Sequence, residues 1–135
     1  KDLAARAMAR AAAAEMHSGF VALRTQLPMN SRRTPDAYRG DAAAQRDIDR
    51  VQGLWRQLRD AQGDGGEFLC GDFGIVDAMY APVAVRFDGY GVPVDAVARR
   101  YMDAMFALPA MREWRAAAAA ETESVAATES LRSPL

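Results

Sequence analysis

The segment Leu69–Pro82, LCGDFGIVDAMYAP, places the start of a helix inside an apolar setting. Gly74 occupies the N-cap position. Asp77, three residues on, stands where a carboxylate reaches back to the cap amide. Phe73 before the cap and the apolar run after it assign this helix start to a core. A carboxylate there requires hydrogen-bond donors, and the first-turn amides of the helix are the nearest supply. With glycine at the cap, the side-chain half of a capping box is missing, at a cost on the order of a few tenths of a kcal/mol.

Around this helix the apolar spacing predicts four more. A first helix is expected over about Leu3–Leu27, with Ala12, Met16, Phe20, Leu23 and Leu27 on one face and Gly19 inside it for close packing. Asp2 is a plausible N-cap, and Pro28 ends the helix. Residues 28–41 form a long polar loop of the kind that often borders a site. A second helix over about Ala42–Gln62 carries the stripe Ala44, Ile48, Val51, Trp55 and Leu58, with Arg46, Asp49, Arg50, Arg56 and Arg59 on its wet face. Gly63-Asp64-Gly65-Gly66 stops it.

The capped helix runs from Gly74 to about Phe87, apolar on nearly all sides as a central helix must be, and Pro82 inside it should bend it. A fourth helix spans about Val94–Ala107 and a fifth about Pro109–Ala120, with Pro109 in its first turn. Residues 121–135 read as a loosely held tail. No strand pattern stands out. The expected fold is an all-α bundle of five helices over residues 1–120, with a central, buried, N-capped helix.

Composition narrows the function. The chain has 135 residues, enough for one domain, and half are hydrophobic, which excludes a disordered chain. A net charge of −1 without a basic block argues against nucleic acid as a partner. The single cysteine, Cys70, excludes an internal disulfide and a cysteine metal cluster, and a reducing cytoplasm is the default location. No run of eighteen apolar residues could span a membrane. The chain opens at Lys1 without an initiator methionine, which reads as a cut at a domain boundary.

The capping block resembles the core capping motif of the glutathione transferase C-terminal domain, where Ser or Thr usually stands at the cap. Cys70-Gly71-Asp72-Phe73-Gly74-Ile75-Val76-Asp77-Ala78 is similar to Cys-Gly-x-x-Phe-Thr-Ile-Ala-Asp-Ala of the bacterial beta-class enzymes, and Arg86 follows as an arginine does there. Glu15-Met16-His17-Ser18-Gly19-Phe20 resembles their Glu-Leu-His-Lys-Gly-Phe. Leu108-Pro109 with Trp114 fits the family's last helices.

The resemblance implies a two-domain cytosolic homodimer with glutathione as co-substrate and a small hydrophobic electrophile as partner. Its thioredoxin-like first domain, which holds the main glutathione contacts and the thiol-stabilising residue, is absent from these residues, so no catalytic residue is assigned here. Thiolate attack on the electrophile is the implied chemistry. His17 takes the family position nearest the thiol. Ser18 replaces a lysine and leaves a hydroxyl donor without the charge. Phe20 and Arg24 follow one and two turns on, Arg24 as a candidate for a glutathione carboxylate. Gly74 and Asp77 are structural, and no metal site is expected. Two other readings stay open: a noncatalytic binding or assembly module of the same fold, and a helical effector-binding domain. The last lacks a DNA-reading helix-turn-helix and leaves the cap block unexplained.

Overall fold

A computed structural model describes residues 3–33, 35, 38, 40–62 and 65–126. The predicted N-cap at Asp2, the stop at Gly63-Asp64 and the tail from residue 127 onward lie outside the described residues. The chain forms α1 (Leu3–Ser18), α2 (Val21–Gln26), α3 (Ala42–Gln62), α4 (Ile75–Gly89), α5 (Ala96–Ala107) and α6 (Pro109–Ala120). Among the described residues there is no strand beyond one isolated bridge between Phe68 and Gly71. The fold is all-α.

The expected five helices become six because the first one breaks. Ser18 ends α1, and Phe20 adopts a left-handed conformation at φ 56°, which restarts the chain as α2. The reason lies at Gly19. A Cβ there would stand 2.7 Å from the Glu15 carbonyl oxygen, so only glycine lets the chain turn this closely against the helix end. The glycine therefore serves the break, and not packing within a continuous helix. The apolar stripe survives it: Ala12, Met16, Phe20, Leu23 and Leu27 are all buried.

The amphipathic spacing of α3 sets its place. Ala44, Ile48, Val51, Trp55 and Leu58 are buried, while Arg46, Asp49, Arg50 and Arg56 stay exposed. Asp41 caps this helix by accepting from the Ala43 and Ala44 amides at 2.8 and 2.9 Å. Those bonds, the Ala44 amide foremost, hold its carboxyl below the usual range. Asp95 caps α5 in the same way, accepting from Ala98 at 2.8 Å.

The core gathers on α4, whose Tyr80, Val83, Ala84, Val85 and Phe87 are buried. Helices α1 and α5 pack on it, and α3 closes the core from α1, α2 and α5. Trp55 sits at the centre, with the rings of Tyr101, Phe87 and Tyr80 at 4.7, 5.6 and 5.9 Å. Helix α4 continues through Pro82. Proline withholds the amide that Ala78 would otherwise receive, one turn back on the outer face of the helix. No helix among the described residues is long and apolar enough to cross a membrane.

Candidate functional site

The cap of α4 is built from a tight turn and one carboxylate. Phe68 and Gly71 exchange backbone hydrogen bonds at 3.1 and 3.2 Å, with Gly71 at φ 90°. Gly66 lies so close against this turn that a Cβ on it would meet the Gly71 carbonyl. The turn aims the Leu69 amide inward. Asp77 Oδ1 accepts from that amide at 3.0 Å, and Oδ2 accepts from the Gly74 amide at 2.8 Å. Gly74 is extended, and its carbonyl accepts from Asp77 at 3.1 Å and Ala78 at 3.2 Å. Only the carboxylate half of a capping box is possible at glycine.

Asp77 is 0% exposed. Burial pushes its carboxyl above the usual range, and the Leu69 and Gly74 amides pull less strongly the other way. The Tyr101 hydroxyl also favours the charged form, although it stands outside the geometry of a formed hydrogen bond. Burial first, and then the charge of Asp77, push the Tyr101 phenol well above its ordinary range. The burial has a different source from the one expected at Phe73. Phe73 is 49% exposed and Ile75 is 81% exposed, and Phe73 stacks edge-on against Phe68 at 5.3 Å. The buried side chains at this helix start are Leu69 before the cap and Val76 after it.

The α1–α2 elbow carries His17, Ser18, Phe20 and Arg24. Ser18 Oγ donates to the Ala14 carbonyl at 3.0 Å, and the Gly19 amide donates to Glu15 at 2.8 Å. Arg24 Nη1 donates to the His17 carbonyl at 3.1 Å, which places a cation on the C-terminal end of α1. The Leu23 amide of α2 donates to Asp47 Oδ2 of α3 at 3.0 Å. His17, Ser18 and Arg24 thus share one exposed corner, while the Phe20 ring turns into the core. Asp47 was not foreseeable, because its partner lies 24 positions earlier and only the break at Gly19 frees that amide.

A second feature is apolar. Over α5, between α4 and α6, runs a groove of about 340 Å³ walled by Phe73, Ala81, Pro82, Met105, Met111 and Trp114. Met29 closes one side of it. Arg86 fixes that side, since its Nε donates to the Leu27 carbonyl at 2.8 Å and its Nη1 approaches the Met29 sulfur at 3.7 Å. Burial and the nearby Arg24 lower the Arg86 pKa. Neither His17, Ser18, Phe20 nor Arg24 lines this groove. Among the described residues no cluster of three His, Cys, Asp or Glu could hold a metal ion. Cys70, within the Phe68–Gly71 turn, is half-buried.

The sequence pattern of the family described as "Glutathione S-transferase, C-terminal domain" matches residues 41–117, which span α3 to most of α6. No curated protein matched the chain.

Proposed function

Since the chain belongs to the glutathione S-transferase C-terminal domain family, we propose that it acts as the helical half of a glutathione transferase. A thioredoxin-like domain supplies the glutathione site and the group that stabilises the thiolate. This chain supplies a wall of the electrophile pocket and part of a homodimer contact in the cytoplasm. The observation that carries the reading is the family match over 41–117, joined to an exposed His17–Ser18 corner outside that stretch. The residues around that corner, like the capping block, resemble the beta-class enzymes.

The chemistry asked of the complete protein is attack of the glutathione thiolate on an electrophilic carbon. A carbon–sulfur bond forms, the leaving group departs with its electron pair, and the thiol proton goes to solvent. At the corner, the His17 imidazole offers a hydrogen bond to the cofactor or to an ordered water, while the Ser18 hydroxyl, whose one proton goes to the Ala14 carbonyl, is left only to accept. A serine there brings no positive charge, so help from this position is directional and not coulombic. Arg24 is already engaged with the His17 carbonyl, and its remaining guanidinium donors are available to a glutathione carboxylate. The apolar groove beside Trp114 offers the kind of surface a hydrophobic electrophile requires.

The test uses the chain joined to its thioredoxin-like domain, with glutathione and an aromatic halide as substrates. His17→Ala should lower kcat while leaving the denaturation midpoint unchanged. A fall in stability that accounts for the whole loss makes His17 a structural residue. Absence of any glutathione-dependent turnover or binding contradicts the transferase reading.

A further inference from the structure

Residues 27–33, just after α2, form a platform tied to the end of α4. Arg86 Nε holds the Leu27 carbonyl at 2.8 Å, and the Tyr90 hydroxyl donates to the Pro28 carbonyl at 3.0 Å. Asn30 Oδ1 accepts from the Arg32 amide at 3.0 Å, and the Arg33 guanidinium lies 4.0 Å from the centre of the Tyr90 ring. These ties fasten residues 27–33 to the end of α4 and present Arg32 outward.

What Arg32 meets is the chain beyond α6. Its Nη1 donates to the Glu121 carbonyl at 2.7 Å and its Nη2 to the Glu123 carbonyl at 3.2 Å. Glu121 is extended, with φ −63° and ψ 131°, so the helix ends there and the chain leaves α6. Two carbonyls held at once by Nη1 and Nη2 suit the two prongs of a guanidinium and not the single point of an ammonium. The Glu121 carboxylate accepts from the Thr122 and Glu123 amides at 3.0 and 3.4 Å, so local bonds also shape the start of this segment.

Between this segment, the platform and α6 lies a cavity of about 420 Å³, walled by Met29, Arg32, Trp114, Ala118, Glu123 and Val125. It shares Met29 and Trp114 with the apolar groove. Residues 121–125 are themselves exposed, so little burial holds them in place and the bonds to Arg32 weigh heavily.

We propose that residues 121–125 form a latch, fastened by Arg32, that closes the end of the groove beside Trp114. The latch sets how far Trp114 and the cavity stand open to solvent. It rests on the cavity and its walls, and not on the glutathione reading.

Digestion of the whole chain with a glutamate-specific endopeptidase tests it, with mass analysis separating the cleaved bonds. A protease needs several residues in extended, released form, so a fastened latch slows cutting after Glu121 and Glu123. The bond after Glu113, inside α6, reports general unfolding. Arg32→Ala should speed cleavage after Glu121 and Glu123 several-fold and leave the Glu113 bond and the melting midpoint at wild-type values. Equal rates for wild type and Arg32→Ala overturn the latch. If Arg32→Ala unfolds the chain, Arg32→Lys decides, since it keeps the charge but loses the fork. Selective acceleration after Glu121 and Glu123 then supports the latch. Wild-type rates, or acceleration equal to that at Glu113, overturn it.

Discussion

Asp77 is the residue on which the fold turns. Its two oxygens satisfy one amide from the preceding turn and one from the cap itself. Asp77→Ala removes both acceptors from a buried site and should lower stability by about 1–3 kcal/mol, read as a lower urea midpoint. An unchanged midpoint would mean that water replaces the carboxylate. Burial also gives Asp77 a pH signature. Its folded pKa lies above the ordinary 3.8, so the fold favours the protonated form. The associated stability is fully present in acid and declines as pH rises from that ordinary value through the raised folded one. Asp77→Asn cannot titrate, and other groups cancel in the comparison. The stability of wild type relative to Asp77→Asn should therefore be greatest in acid and shrink toward neutral pH. A difference that grows with pH contradicts the direction assigned to this carboxyl. At Gly74 a Cβ would meet only ordinary contacts, Asp77 Oδ2 at 3.8 Å and the Asp72 carbonyl at 4.0 Å, and φ −142° suits any residue. Gly74→Ser should complete the box and raise stability by about 0.5 kcal/mol, visible as a higher midpoint.

At the scale of elements, much was legible. The stripe of α3, the Gly74–Asp77 cap of α4 and the proline opening α6 read directly, because those signals are local: spacing, a glycine, a proline at the first turn; the Asp41 and Asp95 caps went unread. The break between α1 and α2 was not legible in the same way. Gly19 looked like a packing glycine inside a helical period, because the stripe from Ala12 to Leu27 keeps helical spacing across the break. What decides the break is a 2.7 Å approach to the Glu15 carbonyl and an acceptor from Asp47, and spacing encodes neither. Gly19→Ala puts a methyl against that carbonyl. It should destabilise by about 1–2 kcal/mol despite the lower entropy of its unfolded chain, as thermal melting would show. A neutral or stabilising outcome would mean that the elbow shifts freely. The capped helix start was foreseen, but its apolar surroundings were attributed to Phe73, which faces outward against Phe68 instead. An apolar residue next to a buried turn does not reveal which side it takes.

The described residues form a helical layer around Trp55 and α4, and among their surface features are two that the core does not explain. One is the corner of His17, Ser18 and Arg24, and the other is the apolar groove that ends at Trp114. Sequence pointed to the corner through its resemblance to the beta-class enzymes. It did not point to the groove, which is assembled from α4, α5 and α6 and from Met29 before them. Nor did it point to Arg32, whose carbonyl partners lie some ninety positions further along the chain. Such features depend on how helices stack, and no local period records that.

On the reading proposed above, these residues shape a pocket while thiol activation comes from a thioredoxin-like partner domain. Conjugation of glutathione to an aromatic halide, measured for this chain alone and for the chain joined to that domain, tests this most directly. The chain alone should show no turnover above the uncatalysed rate, and the joined protein clear turnover. Robust turnover by these 135 residues by themselves would contradict it.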